Sequence, residues 1–248
     1  MARVRERAEF DLESPVLVEG LPGVGLVGKI ATDHLVDEYD MTYVASVECD
    51  GIPEVAVYDE DDYTARPPVR VYADEERDLL ALQADVPVNR VAAEEFAACV
   101  TSWVADVDAT PLYLSGFPRQ NDDPSHVPEV FGVATGGGAA MLTENGIDTP
   151  PERGVVGGPT GALVNRADAE DVDGACLVVE SDPQFPDPAA AKQLLDDGID
   201  PLADIDVDTD TLVEQAEEIR EQKETLAQRM QQAGEEESSQ AQPMRMFE

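Results

Sequence analysis

Short apolar runs alternate with helical patterns along this chain. Val16-Leu17-Val18 is continuous in the way a strand covered on both faces requires, and Gly20, Pro22, Gly23, Gly25 and Gly28 follow it. Leu26, Val27, Ile30, Ala31 and Leu35 then recur at helical spacing, which predicts strand, tight turn and helix, with the helix starting close to Gly25. A β-rich section comes next. Strands are predicted at 42–47, 54–58, 69–72 and 78–83, and the short polar connections between them predict antiparallel hairpins. Residues 89–107 read as a helix with Val91, Ala92, Phe96, Cys99, Val100 and Trp103 on its buried side, Trp103 as core.

Further on, 111–118 reads as a strand ending in a glycine turn at Gly116, and 119–128 as a polar loop. Residues 131–135 precede Gly136-Gly137-Gly138 and a short helix ending at Gly146. The run 154–164 repeats the opening design of apolar strand, Gly/Pro turn and helix, 175–180 is the last clear strand, and a helix covers 189–197. This alternation predicts an α/β fold, a three-layer sandwich around a mixed, mostly parallel sheet. Thr211 with Glu214 forms a capping box for a terminal helix whose seam of Leu212, Ala216, Ile219, Leu226 and Met230 is interrupted by Lys223. That seam fits packing on its own domain or contact between copies. Beyond Ala233 the chain is too polar to bury a core, so the expected division is an α/β domain at 1–205, a helix at 206–233 and a flexible acidic tail at 234–248. The tail ends on apolar residues, which read as a docking site.

Charge changes the picture. Lys and Arg number 16 against 54 Asp and Glu, a formal charge of −38 spread over the whole length, while 42% of residues are hydrophobic. A folded protein with an acidic skin follows, of the kind found in halophilic archaea, where molar salt cuts the screening length to roughly 3 Å. No basic patch is available to neutralise phosphates, which excludes nucleic acid and anionic membranes as partners. Cys49, Cys99 and Cys176 lack CxxC spacing and neighbouring histidines, so buried free thiols are expected and neither a disulfide framework nor a metal site. No apolar stretch follows Arg3, Arg5 and Arg7, and a cytoplasmic location is expected.

Candidate chemistry concentrates in the first turn. Gly23-Val24-Gly25-Leu26-Val27-Gly28 satisfies G-x-G-x-x-G, with Glu48 and Asp50 about twenty residues on, where a ribose-binding acid would stand. Gly23 to Lys29 also spells G-x-x-x-x-G-K, but Ile30 stands where a magnesium-holding hydroxyl belongs. The alternative is purely structural, glycines that permit a tight strand-to-helix connection. Glycine turns near Gly23, Gly116, Gly136 and Gly158 are expected at the carboxyl ends of the strands, with Glu19, Ser115, Thr160 and Glu180 facing that rim. No nucleophile is spaced against a base, and His34 and His126 read as surface or satisfied histidines.

The run Glu19-Gly-Leu-Pro-Gly-Val-Gly-Leu-Val-Gly-Lys-Ile-Ala31, with Leu114-Ser-Gly116, residues 130–135, the run Gly158-Pro-Thr-Gly-Ala-Leu163 and Cys176-Leu-Val-Val-Glu180, resembles the proteasome assembly chaperone family over about residues 12–230. The resemblance implies a phosphorylase/hydrolase-like α/β sandwich without catalysis or cofactor, a homo-oligomer, and the α subunits of the proteasome core particle as partners. It also implies docking through a C-terminal hydrophobic-tyrosine-any-residue motif, for which Met246, Phe247 and Glu248 stand as a variant without the tyrosine hydroxyl. The alternative function is an enzyme or ligand-binding domain that takes a nucleotide or nucleoside at the glycine-lined rim.

Overall fold

The computed structural model describes residues 2–58, 63–119 and 126–214. Its strands are β1 (Arg3–Glu6), β2 (Val16–Gly20), β3 (Thr42–Glu48), β4 (Val69–Asp74), β5 (Leu79–Ala84), β6 (Thr110–Pro118), β7 (Val130–Thr135) and β8 (Gly174–Ser181). They form one sheet in the order β1-β3-β4-β5-β2-β6-β8-β7. The helices are α1 (Val27–Glu38), α2 (Ala93–Asp106), α3 (Ala139–Glu144), α4 (Gly158–Ala169), α5 (Pro188–Leu194) and α6 (Asp200–Ala203). A π-helical turn, Leu195–Ile199, joins the last two.

The sheet is mixed, with its parallel pairing at the centre. β2 runs parallel to β5 and β6, and β6 to β8, while β3, β4, β1 and β7 join antiparallel. Alternation along the strands fills two cores. Leu17, Leu80, Leu82, Tyr113 and Cys176 face one side with Phe96, Val100 and Trp103 of α2 and Leu163 and Ala167 of α4. Val18, Leu79, Ala81, Leu112 and Leu177 face the other with Ala31 and Leu35 of α1 and Ala190 and Leu194 of α5. Val207 and Leu212 join this second core. Trp103 is core as expected, with Phe10 edge-on to it at 6.3 Å between ring centroids.

Several expectations are corrected. Residues 54–58 form no strand and contribute only an isolated bridge between Val57 and Arg66, because β1 and β4 occupy both edges of β3. β1 escaped notice because its Arg3, Arg5 and Arg7 neighbourhood is charged rather than apolar; all three arginines converge on Glu48, which blunts this sheet edge against further pairing. Residues 154–157 are not a strand either, and Val155 stands 94% exposed. Val91 is also exposed, since Asn89 caps a 3₁₀ turn ahead of α2 and the helical phase begins only afterwards. Gly116 lies inside β6 rather than ending it, and Gly136 sits at the opposite end of the sheet from Gly23, because β7 runs antiparallel to β8. The residues of the expected terminal helix beyond Glu214 lie outside the described residues; the chain is already helical at 210, so Thr211 is inside the turn rather than capping it.

Candidate functional site

The first glycine turn is packed against its own protein. A Cβ on Gly20 would stand 1.7 Å from Thr32 Oγ1, and one on Gly28 would press on Leu114. Gly25 has φ +62° and faces Ser181 Oγ at 1.9 Å from an added Cβ, so both backbone and space demand glycine there. The Gly25 carbonyl accepts from the Asp187 backbone N–H at 2.8 Å, and Asp187 also caps α5 through Ala190. Gly116 lets the Val24 carbonyl cross β6. Gly23 is extended and exposed, and Pro22 is half-buried beside it. Every close approach these glycines allow is therefore used internally.

Lys29, the residue that would reach a phosphate, is committed elsewhere. Its Nζ donates to Asp33 at 2.7 Å and to Asp85 at 3.1 Å. Burial pulls its pKa down, but the hydrogen bonds and charges of Asp33 and Asp85 outweigh that and hold it above the ordinary lysine value. Asp85 also pairs with the buried Arg70, at 2.8 Å, and Arg70 donates to Tyr72, Gln83 and the Pro67 carbonyl. Sequence reading missed this network, although an arginine between Val69 and Val71 in an apolar strand signals a buried ion pair. Millimolar ATP or NAD should leave the melting temperature of the protein unchanged. A rise of several degrees would restore the phosphate-binding reading.

Glu19 is wholly buried. Its carboxyl accepts from the Leu114 N–H at 3.1 Å and from Thr160 Oγ1 at 2.9 Å, joining β2, β6 and α4. Desolvation dominates those hydrogen bonds and pushes its pKa up to about 8, so the carboxyl is protonated in neutral solution. Burial, with Glu19 as a smaller contribution, likewise pushes the Cys176 thiol up to about 12. Cys49 and Cys99 are half-buried free thiols. Glu19 and Thr160, both expected at the rim, thus meet each other as structural partners.

Glu180, nearly buried, is held by Arg119 and by His126 Nε2 at 2.6 Å. His34 instead contacts the Asp208 carbonyl at 2.6 Å, a satisfied surface histidine. Ser115 lines a groove of about 500 Å³ between α4, the 150–156 segment and strands β6, β7 and β8, with Phe117, Phe131, Val133, Val156 and Val178 among its walls. No pattern in the sequence announced this groove, because its walls come from five separate segments. Among the described residues there is no cluster of metal-ligating side chains and no helix long and apolar enough to cross a membrane. Met246, Phe247 and Glu248 lie outside the described residues.

The sequence model of the PAC2 family matches residues 17–227. An uncharacterized protein of Methanocaldococcus jannaschii is 25% identical over 224 residues, 90% of each chain. Pyrococcus furiosus PbaA, described as an archaeal homolog of proteasome-assembly chaperone, superposes with a TM-score of 0.77 at 25% identity, over 94% of this chain and 99% of that one. P. furiosus PbaB, described as an archaeal proteasome activator, shares the fold with a TM-score of 0.74 at 21% identity, over 91% of this chain and 98% of its own.

Proposed function

The chain belongs to the PAC2 family, and from that membership we propose that it is a proteasome-assembly chaperone or core-particle binding protein with no catalysis of its own. The observation that carries this reading is the similarity to PbaA over nearly the full length of both chains. The packing of the first turn supports it from the other side. A turn whose Gly20 and Gly25 admit Thr32 and Ser181, and whose Val24 carbonyl packs on Gly116 of β6, is a scaffold element, which weighs against the nucleotide or nucleoside reading.

In this reading the protein works in the cytoplasm as a homo-oligomer and engages the α ring of the core particle through Met246, Phe247 and Glu248. The Phe247 ring would enter an apolar pocket between α subunits, and the terminal carboxylate would pair with a pocket lysine. Such a hook suits a body of charge −38, because apolar contact does not depend on the charge interactions that high salt screens.

The test is co-purification with α-ring subunits at native salt. Deleting residues 246–248 should reduce recovery at least roughly tenfold, whereas Phe247→Tyr should tighten binding by about 1 kcal/mol, close to fivefold, by adding a hydroxyl donor. Unchanged recovery after the deletion would count decisively against the tail as the point of attachment.

A further inference from the structure

The groove beneath α4 is apolar along its length and charged at its ends, and the two ends differ in sign. Its floor is three strands wide: Val178 of β8 pairs with Ser115 of β6 on one side and with Phe131 of β7 on the other, Phe117 pairs with Glu180, and Val133 with Cys176. Side chains two apart share a face, so Phe117, Phe131, Val133 and Val178 form one apolar floor beneath Val156 and Val164. At one end Thr135 Oγ1 donates to the Val172 carbonyl and the Val172 N–H donates to the Ala167 carbonyl, which sets Asp168 of α4 level with Gly174. Asp168 is exposed and stands outside the Arg166–Glu170 ion pair of its own helix. At the other end the nearly buried Glu180 holds both Arg119 and His126. That contact orients the Arg119 guanidinium, whose five donors exceed what one carboxylate takes up.

The separation of the ends sets the length of what fits. From the Gly174 level to the Glu180 level is six residues of β8, about 20 Å at roughly 3.3 Å per residue. A charge-assisted hydrogen bond of about 2.8 Å at each end leaves about 14 Å, the span of an extended tetrapeptide at roughly 3.4 Å per residue. Molar salt screens acids beyond roughly 3 Å, so only groups in direct contact with a ligand decide its charge preference. We propose that the groove binds short apolar peptides of about four residues with both ends free, the ammonium at Asp168, the side chains on the floor and the carboxylate at Arg119. An internal stretch of a protein offers neither charge, and a protein's chain end offers one of the two. Hydrolysis of a polypeptide is therefore the class of reaction that supplies this ligand. A partner of the core particle that holds such peptides retains products of proteolysis at the particle's surface; that consequence rests on the proteasome reading above, whereas the binding does not.

Calorimetric titration of the full chain with the tetrapeptide Leu-Ala-Val-Leu in multimolar KCl tests the site without the core particle, so its failure is separate from failure of the docking reading. Saturable binding is expected, with Kd no weaker than about 1 mM. N-acetylation and C-amidation of the peptide should each weaken it about fivefold, and the dipeptide Leu-Leu, too short to reach both ends, should bind at least roughly tenfold more weakly. Asp168→Asn, at an exposed position, should remove the response to N-acetylation and leave the response to C-amidation in place. No saturable binding, indifference to either cap, a dipeptide that binds as well as the tetrapeptide, or a response to N-acetylation that survives Asp168→Asn each overturns the proposal. Tighter binding of the N-acetylated peptide overturns it too, because the groove would then be a site for a protein's chain end.

Discussion

Glu19→Gln should stabilise the protein, and by an amount that grows with pH. Burial holds the Glu19 carboxyl at a pKa of about 8 in the folded state, against 4.5 for the exposed group. Between those values the folded chain carries a proton that the unfolded chain has released. Stability therefore falls as pH rises across this window, by up to about 1.4 kcal/mol per pH unit, and the loss is complete above about pH 8. At pH 7 it amounts to about 3 kcal/mol. Glutamine keeps the carbonyl that accepts from Leu114 and sets its amide against Thr160, whose hydroxyl can turn to accept. Its second amide proton has no acceptor among the groups that bond the Glu19 carboxyl, at a cost of about 1 kcal/mol. The net gain is about 2 kcal/mol at pH 7, roughly 6 °C in melting temperature for a chain of this size. Melting curves of the two proteins in multimolar KCl should diverge between pH 6.5 and 8.5. Working above pH 6.5 avoids Asp200, whose burial raises its own pKa to about 6. A difference between the two proteins that stays constant with pH would refute the buried, protonated carboxyl.

The opposite outcome is expected at Gly20. An added Cβ meets Thr32 Oγ1 at 1.7 Å and Thr32 Cβ at 2.6 Å. Neither can retreat. The Thr32 hydroxyl is tied to the Gly28 carbonyl at 2.9 Å and to that of Lys29 at 3.1 Å, and α1 is clamped by the buried Ala31 and Leu35 on either side. Gly20→Ala should therefore cost about 3 kcal/mol, roughly 10 °C in melting temperature, or leave the chain insoluble. Gly157→Ala is the control: that glycine has φ −110° and nothing within 4 Å of an added Cβ, so its melting temperature should move by no more than about 1 °C. Thr32→Gly combined with Gly20→Ala should recover part of the loss, since it removes the clashing atoms. Equal effects at Gly20 and Gly157 would mean that the first turn has room to spare, and the phosphate reading would have to be reopened.

The protein's acidity and its fold are linked at the sheet edge. With 54 acidic side chains and 16 basic ones, arginine is scarce, yet three of the arginines stand at β1 against the single Glu48. At the other edge, the Gly132 N–H of β7 donates to the Asp148 carbonyl at 2.8 Å, and the neighbouring Val133 is 38% exposed. One edge is thus blunted by charge and the other is partly covered by the chain that follows α3.

The local pattern was enough to find β2, β3, β4, β5, β8 and the helices α1 and α2, because each buries a period that propensity and alternation write directly into the chain. It also supplied the two meanings of the first turn without choosing between them. The choice needed distance: Gly20, Gly25 and Gly116 are glycine because Thr32, Ser181 and Val24 press on them, and two of those three neighbours are far away in sequence. The direction of β7, the fate of residues 54–58 and the placement of Gly136 were likewise decided by which sheet edges remained free, a property of the whole sheet. Glu19 and Lys29 appeared in the sequence as candidate chemistry, and only their partners on α4, on β6 and just after β5 turned one into a buried acid and the other into a member of an ion-pair network. Composition and periodicity are local sums along the chain, so they fix class, layers and surface. Burial, pKa and the groove are set by contacts between segments distant in sequence, and those exist only once the chain has folded.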